Sequence, residues 1–84
     1  MKFDELKKQV ISAVRESMNT ERMIYKDLIE EEPESKSEYT LCWKASIDGV
    51  ARGAQGMLDI LDLSWNQKQK ISTAIDKQKD EYKN

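Results

Sequence analysis

Pro33 is the only proline among 84 residues, and it stands near the middle of the chain, in the run Glu30-Glu31-Glu32-Pro33-Glu34-Ser35. Proline lacks a backbone donor, clashes with the preceding helical turn and pushes the residue before it towards extended geometry. A single helix therefore cannot run through this point. On its N-terminal side apolar residues recur in steps of mostly three, four or seven: Phe3, Leu6, Val10, Ile11, Val14, Met18, then Ile24, Tyr25 and Leu28. That period is a helix stripe, and it predicts one long helix over about 3–31. Glu21 and Arg22 interrupt the stripe, and Asn19 sits between Met18 and Met23 as a capping residue between staple positions would. A break near 19–21 stays open.

Past the acidic turn, about 32–36, Ser35 and Glu38 have capping-box spacing. The stripe then resumes with Trp43, Ile47, Val50, Ala51, Ala54, Met57, Leu58 and Leu61. At 100° per residue these span about 120° of arc, which predicts a second helix over about 37–63. A strand competes for part of it. Tyr39, Leu41, Trp43, Ala45 and Ile47 alternate with Thr40, Cys42, Lys44, Ser46 and Asp48, and only residues 23–29 offer such a strand a partner. Ser64 and Gln67 form another capping-box pair, opening a third helix over about 65–81. Its stripe is thin (Ile71, Ala74, Ile75, Tyr82), so it belongs on the surface. The fold class expected is all-α: a small helical bundle, with an antiparallel hairpin of two long helices plus a shorter C-terminal helix. Residues 1–84 are too few for a second core, so a single helical domain is expected.

The residue inventory narrows the chemistry. Histidine, the commonest acid–base group and metal ligand, is absent, and Cys42 is the only cysteine. Neither a zinc set nor an activated serine or cysteine is expected, and no enzyme, cofactor or metal is predicted. Gly49, Gly53 and Gly56 lack the lysine and hydroxyl residue that complete a phosphate loop. No apolar run reaches the roughly 18 residues of a membrane span. The early acidic residues Asp4 and Glu5 do not suit a signal peptide. Without paired cysteines as staples, the expected location is cytoplasmic.

Four features are candidate surfaces. Cys42, Ser46, Gly49 and Gly53 recur every three or four residues, so they form a row of small side chains on one side of the second helix. Each helical glycine costs roughly 1 kcal/mol against alanine. Such a row suits close packing within the chain or self-association. Cys42 is expected to pack rather than react. Glu30, Glu31, Glu32 and Glu34, with Glu38 nearby, crowd charge at a helix C-terminus, against its dipole. They suit a solvated turn or a basic partner. Trp65 opens the third helix at a corner, where it either plugs the bundle end or meets a partner. Finally, Lys68, Lys70, Lys77, Lys79 and Lys83 share no single face, so nucleic-acid binding through this helix is not favoured.

The expectation that follows is a non-enzymatic protein acting through another protein, as inhibitor, adaptor or regulator. Partner binding falls to Glu30, Glu31, Glu32, Glu34 and Trp65, and the methionines Met18, Met23 and Met57 suit an adaptable surface. The alternatives are a self-assembling dimer, packed through Cys42, Ser46, Gly49 and Gly53, and a small DNA-associated regulator. In its general layout, a short charge-rich helical hairpin, the chain resembles the small accessory proteins of phages and mobile elements. That resemblance implies no site residues.

Overall fold

A computed structural model describes residues 2–84. Helix α1 runs unbroken over Phe3–Glu31, so the break near 19–21 does not occur. The interruption at Glu21 and Arg22 leaves the backbone helical because neither glycine nor proline intervenes. Glu32, turned out of helical geometry ahead of the proline (φ -131°, ψ 73°), ends the helix, and Pro33–Ser35 make one 3-10 turn. Helix α2 covers Lys36–Met57, which removes the strand alternative for residues 39–47. Helix α3 covers Trp65–Lys83. Its entry has the expected box: the Gln67 backbone N–H donates to Ser64 Oγ at 3.2 Å, and the Ser64 N–H donates to Gln67 Oε1 at 3.0 Å. Ser35, in contrast, makes no capping bond, because the 3-10 turn already occupies that position.

α2 stops six residues earlier than its stripe implies. The backbone bonds of Leu58, Asp59, Ile60 and Leu61 reach back three residues rather than four. The helix thus tightens after two glycines in its last turns and unwinds into the link 58–64. Leu58 and Leu61 still pack inward from this link, which is why the apolar period overshoots the helix end.

Side-chain pairs fix the arrangement. Ser46 Oγ donates to Glu21 Oε2 at 3.0 Å, setting α2 antiparallel to α1. Gln55 Nε2 donates to Asp76 Oδ1 at 2.8 Å, while Lys83 Nζ meets Asp48 at 3.0 Å, so α3 is antiparallel to α2. Arg15 Nε donates to Gln78 Oε1 at 3.1 Å, and the Arg22 guanidinium lies 4.6 Å above the Tyr82 ring, so α3 runs parallel to α1. The rod measures 47 × 19 × 17 Å. Its core is Val14 and Met18 of α1, Ile47 and Ala51 of α2, Leu58, and Ile71 and Ile75 of α3. All of it lies in the three-helix part. α3 ends beside Arg22 and Asp48, and from residue 19 to 46 the α1–α2 hairpin contains no fully buried residue.

Candidate functional site

α1 carries a wider apolar stripe than its two neighbours cover. Arg15 and Arg22 face α3. Leu6, Val10 and Ala13 lie about 150° away around the same helix at 3.6 residues per turn. Together with Ala54, Met57 and Leu61 they line an open cleft of about 320 Å³ on the flank away from α3. No charged or polar side chain lines it. On its rim Met57 is 66% exposed and Ile60 82% exposed. Ile60 sits in the link rather than in a helix, so no helical register turns it inward. Sequence periodicity marks Leu6, Val10, Ala54, Met57 and Leu61 as core and passes over Ala13 and Ile60; only the packing shows which edge of the stripe is left bare.

The row of small residues adjoins this cleft. Ser46 is tied to α1 through Glu21, whereas Cys42, Gly49 and Gly53 face solvent. A β-carbon built at Gly49, Gly53 or Gly56 would meet nothing within 4 Å. Close packing within the chain, the first use expected of this row, is therefore not what the glycines serve. Met18, expected on an adaptable surface, is instead completely buried at the centre of the core.

Glu30, Glu31, Glu32, Glu34 and Glu38 cap the two-helix end of the rod, all exposed. Trp65 lies at the opposite end, 73% exposed beside Leu58 and Asp59, so it does not plug the bundle. The structure thus separates the two halves of the expected partner surface by most of the length of the molecule. Tyr39 belongs to the acidic end. Its phenol is held above the usual value, first by hydrogen bonding to Glu32, then by burial, then by the charges of Glu32, Glu38 and Glu34. Where α3 stops, a crevice of about 530 Å³ remains between the hairpin helices, lined by Arg22, Met23, Lys26, Ile29, Glu30 and Trp43. Trp43 is half-buried there, and its indole N–H is enclosed with no acceptor.

A third feature escapes reading helix by helix. The parallel pairing of α1 and α3 brings Lys77 beside Lys7, Lys8 and Arg15, in a groove of about 610 Å³ with Ser12 and Asp4. The lysines of α3 were expected to scatter, and on α3 alone they do. The cluster is made by residues some 60–70 positions apart in the chain. Among the described residues no cluster of three or more His, Cys, Asp or Glu side chains is arranged to hold a metal ion, and no helix is long and apolar enough to cross a membrane. Compared with known proteins, the chain matches no family, no curated protein and no solved structure.

Proposed function

We propose that the chain is a non-enzymatic protein-interaction module, an inhibitor, adaptor or regulator, that docks an apolar helix face of another protein into the cleft between α1 and α2. The observation that carries this reading is the wholly apolar lining of that cleft, open beside Met57 and Ile60. Exposed apolar surface gathered into a concave patch marks binding sites. An amphipathic helix fits such a groove through anchors three or four residues apart. The exposed single thiol Cys42 and the lack of paired cysteines suit a reducing, cytoplasmic setting.

The test is capture from nuclease-treated lysate with the wild-type chain and with Met57→Glu and Ile60→Glu. Both residues are exposed, so stability should move by no more than about 0.5 kcal/mol. Loss of one stoichiometric protein partner in both variants supports the reading. Equal capture by all three chains refutes it.

Self-assembly is the second reading, favoured by the open glycine row beside the cleft. A second copy packed there would associate through apolar contacts and would persist in high salt. Gly53→Leu would disrupt it.

A further inference from the structure

Among the described residues, the charges of the acidic end and of the α1–α3 groove form no ion pair. The ion pairs among those residues are Lys79–Asp76 and Lys83–Asp48, and neither involves either cluster. Lys7, Lys8, Arg15 and Lys77 leave the groove strongly positive, with Asp4 the one carboxylate lining it. Glu30, Glu31, Glu32, Glu34 and Glu38 make the hairpin end strongly negative, with Lys36 among them. Both clusters share α1, which keeps them apart. From Lys8 to Glu31 the helix axis rises about 35 Å at 1.5 Å per residue, so no chain can bring its own tip to its own groove.

A second copy can. We propose that the α1–α3 groove binds the acidic hairpin end of another copy of this chain, in an antiparallel, two-fold pair. Laid side by side in opposite directions, two copies set Lys7 and Lys8 of each against Glu30 of the other, and both contacts form together, as an isologous interface requires. Glu30 suits this role. It lines the crevice beyond the end of α3, on the α3 side of α1, and the groove lies on that side too. The pairing also covers the part of the hairpin that lacks a core, where Met23 is largely exposed. The apolar cleft lies on the other flank and stays free, so this association does not depend on the function proposed above.

Charge contacts at a surface are weak singly and screened by salt. The expected behaviour is reversible dimerisation that is strongest at about 0.01 M salt, where the Debye length is ~30 Å, and lost near 1 M, where it is ~3 Å. The experiment is sedimentation of the full chain across concentration at both salts. It is repeated with a groove variant (Lys7→Glu, Lys8→Glu, Lys77→Glu) and a tip variant (Glu30→Lys, Glu31→Lys, Glu34→Lys), with helicity checked by circular dichroism. Each variant alone should be monomeric, because its tip and groove then carry the same sign. Mixed in equal amounts they should form a heterodimer, because each tip again meets a groove of opposite sign. If a triple variant loses helicity, Lys8→Glu and Glu30→Lys carry the same test. A wild-type chain that stays monomeric at low salt overturns the proposal, as does a dimer unchanged by either variant or a mixture that remains monomeric. Retention of a DNA duplex by a monomeric chain, lost in the groove variant, would assign the groove to phosphates and overturn it equally.

Discussion

Tyr39 shows how one side chain reports the charge at the hairpin end. Its phenol is raised above its ordinary value of 10.0, with hydrogen bonding to Glu32 the largest cause. A raised folded-state value means that the folded chain binds this proton more tightly than the unfolded chain. The resulting stability is complete below the unfolded value and is lost as pH rises through the folded one. Ultraviolet titration should therefore show Tyr39 ionising above the ordinary tyrosine value of 10.0. Glu32→Gln should bring it back towards that value, and Tyr39→Phe should remove it. A late step that survives Tyr39→Phe would contradict the assignment. Met18 makes the opposite point about residues. Its type suggests an adaptable surface, but its position at the centre of the α1 stripe puts it in the core. Met18→Ala should cost about 2–5 kcal/mol in chemical denaturation, as truncations of buried residues do.

At the scale of elements, α1 and α3 were legible within two residues at their ends, because stripe, proline and capping box all agree there. α2 was legible at its start and not at its end. Apolar period records which residues are buried. It does not record which backbone bonds are made, and Leu58 and Leu61 are packed inward from a link that has left the helix. The helix glycines give a direct prediction. Space is open at Gly49 and Gly53, so alanine brings its helix preference with no clash. Gly49→Ala and Gly53→Ala should each stabilise the chain by about 0.5–1 kcal/mol in denaturant titrations. A loss of stability instead would show that the backbone there needs glycine. The cap of α3 predicts the reverse: Ser64→Ala should cost roughly 1 kcal/mol, because the Gln67 N–H loses its acceptor.

The whole molecule divides into a cored three-helix part and a bare two-helix hairpin. The sequence predicts the three helices and their hairpin order. It does not predict this division, which depends on where the 19 residues of α3 come to rest along the 29 of α1. The candidate sites failed to show for the same reason. The cleft consists largely of stripe residues that two neighbours leave uncovered, joined by Ala13 and Ile60 from outside the stripes, and the basic groove joins residues from opposite ends of the chain. Trp65 and the glutamates, visible in the sequence as singular features, turn out to stand at opposite ends of the rod.

The proposed function requires the cleft beside Met57 to receive another protein. The most direct measurement places a photo-crosslinking residue at position 57 and, as a control, at Leu41, which is equally bare but lies in the hairpin. The chain is then irradiated in host lysate. A single adduct with another protein at position 57, absent at position 41, is the predicted result. Adducts that are the same at both positions, or none at position 57, would contradict it.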